Sequence, residues 1–238
     1  MSNNGGLNVC LYCSRSLKFS GRNNPNKKYN FDDSMFTTID TPIKAYCLGW
    51  FASDGHINKK SATISIKRRD SSILQQIRKE LSSNLPPIKI KDGMASWSIS
   101  SNKISTDICN HLCITFGKKS KLVSVTTLSD ELMWHFIRGY FDGDGHIRKQ
   151  KNYKYPSDVG IEIASQSDIL RTKICEFLNR HHIKTWNYAR GSISISGRHA
   201  TKFLNLMYSK DGPRLKRKYN EYLKWLNGPD IQSHKTNI

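Results

Sequence analysis

The stretch AYCLGWFASDGHI, Ala45 to Ile57, returns as HFIRGYFDGDGHI, His135 to Ile147, at an offset of 90 residues (135 − 45). Gly49/Gly139, Phe51/Phe141, Asp54/Asp144, Gly55/Gly145, His56/His146 and Ile57/Ile147 are identical pairs in one frame. The segments after the two copies match as well. Ala62, Ile64 and Ile66 alternate with Thr63, Ser65 and Lys67 as a half-buried strand, and Val159, Ile161 and Ile163 form the apolar face of its counterpart. A helix comes next in each half, with Asp70 and Asp168 as its expected caps. Then comes a hairpin, Ile88 to Ser100 turning at Asp92-Gly93 and Ile183 to Ser196 turning near Arg190-Gly191. Another apolar-striped helix closes the unit. Each half therefore reads helix, two strands, helix, two strands, helix. Two copies are too few for a solenoid, so the repeat predicts a pseudo-two-fold single chain.

Small residues make a stripe along each motif helix. Ala45, Gly49 and Ser53 recur every fourth position, as do Gly139 and Gly143. Glycine inside a helix costs about 1 kcal/mol, which a close backbone contact between the two helices would offset. Gly49, Ser53, Gly139 and Gly143 are the expected interface, with Trp50, Phe51, Tyr140 and Phe141 filling the flanking cores. Thr41-Pro42 should open the first helix and Thr127 with Asp130 the second, and both should stop at Gly55 and Gly145. Such a crossing sets Asp54 and Asp144 side by side at two helix C-termini, where the dipoles and their mutual repulsion both disfavour carboxylates. A shared divalent cation resolves both problems. Hard oxygen ligands suit magnesium, and the carbonyls of Ser53 and Gly143 are further candidate ligands. Two carboxylates, a metal and a basic surface indicate phosphodiester hydrolysis.

The basic surface is plain from the charge sum. The 238 residues carry 38 Lys+Arg against 19 Asp+Glu, a net +19. The excess is spread over the whole chain, which points to nucleic acid; a membrane surface would be served by one basic amphipathic helix. The longest run of apolar residues and glycine, Ala45 to Ala52, is far short of a membrane span. Neither a membrane nor a small-molecule substrate is expected as a partner. Met1 to Gly6 lacks the features of a signal peptide, so an intracellular, reducing compartment and free thiols are the default. Cys10 and Cys13 form a lone CxxC, read as two unlinked thiols in preference to half a zinc site. Arg15 to Lys28 holds five basic residues and no acidic one, either an arm on DNA backbone or a solvated segment.

CLGWFASDG (Cys47–Gly55) and IRGYFDGDG (Ile137–Gly145) resemble the nine-residue motif of the LAGLIDADG homing endonucleases. FTTIDTPIKAYCLGWFASDGHI and the linker GKKSKL are similar to that family's flanking pattern, and the resemblance covers residues 31 to 225. It implies an α+β fold of two αββαββα halves whose four-stranded antiparallel sheets form a saddle over DNA. The chain divides into a tail or arm (1–38), a first half (39–122) and a second half (123–238) that includes a basic C-terminal helix, Arg214 to Leu226. The resemblance also implies a monomer that makes double-strand breaks with short 3′ overhangs. Its target would be double-stranded DNA, an asymmetric site of roughly 20 bp, about two turns of duplex. Magnesium would be the cofactor, as two or three ions shared between the carboxylates, with manganese substituting.

Residue by residue, the family's metal-binding acid falls on Asp54 and Asp144, and the preceding carbonyl donor on Ser53 and Gly143. Ala52 departs from the pattern where the second copy has Asp142, and the expected consequence is a local structural difference rather than inactivity. The family also places a polar or basic residue near each scissile phosphate. Lys67 and Gln166, at strand ends, are the candidates, with Lys103 and Arg198 as alternatives. Thr63, Ser65, Lys67, Arg69, Arg148, Lys149, Gln166, Ser98, Ser100, Ser194 and Ser196 are the expected DNA contacts. His56 and His146 are read as structural or DNA-contacting rather than as general bases. An intron maturase and a non-cleaving DNA-binding regulator remain alternatives on the same fold. Met1 and the terminal Thr-Asn-Ile favour a free-standing protein over an intein-embedded one.

Overall fold

The computed structural model describes residues 28–117, 121–149, 159–188 and 190–226. The Cys10–Cys13 pair, the first six residues, most of the basic arm, linker residues 118–120 and the Lys149 side chain lie outside the described parts.

The first half runs α1 (Pro42–Ser53), β1 (Gly55–Ile57), β2 (Ala62–Lys67), α2 (Ser72–Leu81), β3 (Lys89–Lys91), β4 (Met94–Ile99) and α3 (Asn102–His111). The second repeats it as α4 (Asp130–Asp144), β5 (Gly145–Lys149), β6 (Val159–Ala164), α5 (Asp168–Arg180), β7 (Trp186–Tyr188), β8 (Ser192–Ser196) and α6 (Arg198–Tyr208). One further helix, α7 (Lys216–Leu226), comes after these. The two sheets are antiparallel, in the orders β1-β2-β4-β3 and β5-β6-β8-β7. This is the expected αββαββα unit, twice.

Strand alternation decides which side of each sheet is buried. Ala62, Ile64 and Ile66 face the helices beside Ala95, Trp97 and Ile99, while Val159, Ile161 and Ile163 do so beside Ile193 and Ile195. The opposite faces carry His56, Thr63, Ser65 and Lys67 in one sheet and His146, Arg148, Glu162, Trp186 and Tyr188 in the other. At the β3–β4 hairpin, Asp92 and Gly93 both take positive φ (49° and 74°), as a two-residue turn between right-twisted strands demands.

The two halves meet along α1 and α4. A Cβ at Gly139 would collide with the carbonyl oxygen of Tyr46, and one at Gly49 would lie 2.6 Å from the backbone nitrogen of Tyr140. Backbone thus touches backbone, as the small-residue stripe predicts, and Trp50, Phe51, Tyr140 and Phe141 are buried on either side.

Several boundaries differ from expectation. Thr41 precedes α1, but its hydroxyl caps nothing and is buried without a partner; Pro42 alone sets the helix start. Helix α4 is capped by Ser129, whose hydroxyl accepts from Leu132 N, not by Thr127. Ser167 likewise caps α5, leaving Asp168 inside the first turn, and Asp70 falls in a single 3-10 turn ahead of α2. Gly55 and Gly145 do end the motif helices, but not through left-handed backbone. A side chain at either would strike Phe51 or Phe141 of its own helix, so close packing requires glycine there. The tail boundary also shifts. Phe31, Met35 and Phe36, assigned to the arm, are buried in the first half's core.

Candidate active site

Asp54 and Asp144 stand where α1 and α4 end at their crossing. A side chain at Gly143 would strike the Asp54 carboxylate and the Ser53 hydroxyl, so the end of one motif helix rests on the end of the other. Both carboxylates act on the same neighbours. Burial raises the Tyr140 phenol above its ordinary range, and Asp144 and then Asp54 push it further. Burial pulls the Lys218 ammonium down to about 8, opposed by Asp142, Asp144 and Asp54.

A cavity opens on each side of the crossing. The first, 370 Å³, is lined by Asp54, Ser65, Lys67, Arg69, Asp70, Gly143 and Arg217, among others. The second, 230 Å³, is lined by Ser53, Val123, Tyr140, Asp144, Ser165 and Gln166, with Ala52 and Ala164. Lys67 and Gln166, the two strand-end candidates, thus sit in corresponding places beside Asp54 and Asp144. Lys103 does not reach either cavity. It lies on α3, where its ammonium bonds Thr37 Oγ1 (2.7 Å) and Asp107 (2.9 Å) in an i,i+4 pair. Arg198 opens α6 on the exposed surface and lines neither cavity. Among the expected DNA contacts, Thr63–Ser98 (2.8 Å) and Ser65–Ser96 (2.7 Å) pair hydroxyls across the outer face. Arg148 donates to Ser194 (2.8 Å) and flanks Glu162 (3.6 Å), leaving Ser194 itself buried; Ser100 and Ser196 are exposed at strand ends.

The Ala52/Asp142 difference has the local consequence expected of it. Asp142 is buried and its Oδ2 accepts from the Tyr46 hydroxyl (2.6 Å) and from Leu215 N (2.8 Å). Desolvation raises its pKa, with those two bonds, Lys218 and Arg138 acting the other way. These two buried cations fasten the C-terminal segment to α4. The Arg138 guanidinium donates to the carbonyls of Met207, Lys210 and Asp211 and to His135 Nδ1. The Lys218 ammonium donates to the carbonyls of Phe141 (2.5 Å), Asp142 (2.8 Å) and Gly145 (2.5 Å), with Gly143 O at 3.4 Å. That cation offsets the negative end of the α4 dipole beside Asp144. Neither Lys218 nor Arg217 stands out in the sequence, where both belong to a basic run. The available signal is Lys218's place on the apolar face with Leu215, Tyr222 and Trp225.

The donor set fits a hard divalent ion held in part by its substrate. Among the described residues no cluster of three or more His, Cys, Asp or Glu side chains could hold a metal. Two carboxylates, backbone carbonyls, water and phosphate oxygens are, however, what magnesium takes. The four described cysteines are free thiols, Cys47, Cys109 and Cys175 buried and Cys113 exposed.

A family model described as a LAGLIDADG-like domain matches residues 131–220. The chain has the LAGLIDADG fold. Solved LAGLIDADG structures superpose over most of the molecule at low identity. The I-AabMI meganuclease bound to uncleaved DNA gives a TM-score of 0.55 at 12% identity, covering 82% of this chain and 92% of that one. I-SmaMI, bound to uncleavable DNA, gives 0.53 at 12%, covering 81% and 91%. I-DmoI, in complex with DNA and calcium, gives 0.51 at 16%, covering 80% and 98%. No curated protein matches the chain. In LAGLIDADG terms, the matched span runs from the start of α4 into α7, so the copy with Asp142 is the one the family model matches.

Proposed function

We propose that this LAGLIDADG protein is a site-specific endonuclease that cuts both strands of an asymmetric DNA duplex with the help of divalent metal ions, leaving short 3′ overhangs. The observation that carries the reading is the meeting of Asp54 and Asp144 at the α1–α4 crossing, beside two cavities, in a chain of net charge +19. Two carboxylates at neighbouring helix C-termini are unfavourable as pure structure, and a divalent cation would offset that alongside the Lys218 ammonium. The I-DmoI and I-AabMI structures, which contain DNA, support a duplex as the ligand.

Asp54 and Asp144 would hold the ions, with the Ser53 and Gly143 carbonyls as further donors. Bound there, the metal would supply an activated water and stabilise the leaving oxygen. Lys67 and Gln166 would orient a scissile phosphate in the first and second cavity, a task for a point charge in one and an amide in the other. The outer-face hydroxyls and cations, Thr63, Ser65, Arg69, Arg148, Ser98, Ser100 and Ser196 among them, would bind backbone and read bases, with Ser194 holding Arg148 from beneath. Both halves belong to one chain, so a monomer would serve.

The test is a selection of cleaved sites from a randomised duplex library in magnesium, then gel shift and plasmid linearisation on the recovered site. The parent should linearise the plasmid, while Asp54→Asn and Asp144→Asn should each bind but fail to linearise it. Calcium should give binding without cutting with the parent. A parent that binds tightly in magnesium and leaves both strands whole would be a binding-only protein, as a regulator or maturase is.

A further inference from the structure

Among the described strand residues on the two outer faces, Glu162 alone carries a carboxylate. It stands between His146 and Ser194 in the second sheet, where Thr63 stands between His56 and Ser98 in the first. Arg148 of β5 lies against it. A Cβ at Gly160 would be 3.6 Å from Arg148 Nε, so the arginine side chain runs flat across that glycine. Its Nη2 donates to Ser194 Oγ (2.8 Å), and its Nε stands 3.6 Å from Glu162 Oε2. The first half has no such couple. Asn58 occupies the place of Arg148 in the 90-residue frame (148 − 58), and its side-chain oxygen accepts from the N–H groups of Lys60 and Ser61 in a local turn.

Resting on the nuclease reading above, we propose that Arg148 and Glu162 together read one G·C base pair in the half-site under the second sheet, Arg148 taking the guanine and Glu162 the cytosine.

The chemistry of the couple matches one base-pair edge. In the major groove a G·C pair shows, in order, the guanine N7 and O6 acceptors and the cytosine N4 donor. Arg148 has N–H groups beyond the one on Ser194 to meet the two acceptors, and the Glu162 carboxylate beside it meets the amine. An A·T pair shows acceptor, donor, acceptor, which sets the thymine O4 against the carboxylate, and a reversed pair puts the amine at the wrong end. Placement supports the same assignment. Ser194 is 5% exposed and holds the guanidinium from beneath, so little ordering is needed on binding. The side chains of Arg148 and Glu162 are 49% and 40% exposed, and so open an ion pair this long adds little to stability. On a face that meets a duplex, phosphates repel a carboxylate, and a base amine is the group that offsets this.

The experiment reads binding alone. Duplexes held by the full chain in calcium are selected from a randomised library by gel shift. The parent's sites should share an invariant G·C pair in one half-site. Arg148→Ala, Arg148→Lys (charge kept, fork lost) and Glu162→Gln should each relax that position and leave the profile of the other half-site unchanged. Replacing the invariant guanine by 7-deazaguanine, which lacks N7, should weaken parent binding by about tenfold and Arg148→Ala binding by less than about twofold. The absence of an invariant G·C pair, a position that the variants leave unmoved, or equal sensitivity to the deaza base overturns the proposal. Uniformly weaker binding with an unchanged profile also overturns it, because phosphate-contacting or structural residues act that way. A parent that enriches a site with this pair, yet leaves both strands whole in magnesium, overturns the nuclease reading alone. A parent that enriches no duplex overturns both.

Discussion

Asp142 and His135 are residues whose stability cost can be argued from single bonds. Asp142 is 2% exposed and satisfies two donors from remote segments, the Tyr46 hydroxyl and Leu215 N. Asp142→Ala leaves both donors buried and unpaired and removes the nearest anion from Lys218, so about 2–4 kcal/mol of stability should be lost. Denaturant unfolding measures this, and Asp142→Asn, which still accepts one bond, should lose less. His135 is held neutral. Burial, then Arg138 and Lys210, lower its pKa from 6.5 to about 4, and its Nδ1 accepts from the Arg138 guanidinium. As pH falls from 6.5 towards 4, the unfolded chain binds a proton that the folded chain refuses, so stability drops across that window, by on the order of 3 kcal/mol. Above 6.5 the contribution is complete. Melting temperatures of the parent and His135→Asn should diverge at pH 7 and converge towards pH 4; parallel curves would mean that His135 protonates freely in the folded protein.

At the scale of elements, the α1–α4 crossing is where the fold and the proposed chemistry coincide. Gly139→Leu must drive the helices apart, because its Cβ alone would meet the Tyr46 carbonyl oxygen. Overpacking costs about 1–3 kcal/mol in ordinary cores, and more is expected where the obstacle is backbone. Cutting should be lost with stability, since the carboxylates would separate. A variant that melts and cuts like the parent would place the interface elsewhere. This crossing is legible in the sequence because its signal is local: small residues every fourth position, duplicated in frame. The same holds for the strands, whose alternation survives intact in both sheets. The caps of α4 and α5 sit one or two positions from those expected, because Ser129 and Ser167 lie beside equally good candidates and only the chain direction chooses among them. The fastening of α7 is not legible. Arg138, Asp142 and Lys218 bond mainly to backbone groups of segments far away in sequence, and a backbone carbonyl has no letter. Lys103 fails as a site residue for a related reason: spacing puts it after the right strand, but its ammonium is held by Thr37 and Asp107.

For the whole molecule, charge and asymmetry make separate predictions. The two outer faces are not copies. The first sheet presents Thr63, Ser65 and Lys67, while the second has Glu162 opposite His146 and exposed Trp186 and Tyr188. Each half should therefore meet a different half-site, and light scattering should find one chain per duplex. Under the proposed function, charge should decide how tightly a duplex is held. A net +19 exceeds what solubility needs and is carried by both halves, so backbone neutralisation should dominate affinity. Among the described residues, few of these cations are tied up in buried ion pairs. Lys67 is exposed, and the ion pairs of Arg148 and Arg180 are exposed and long, at 3.6 and 3.4 Å. Such pairs are worth little in water and yield to phosphate. If roughly 6–10 phosphates are neutralised, affinity for the recovered site should fall by about 10³–10⁵ between 50 and 200 mM salt. The measurement belongs in calcium, where binding can be read without cutting, with non-specific duplex as competitor. Affinity that stays flat over that range would mean that the outer faces do not lie along the DNA backbone.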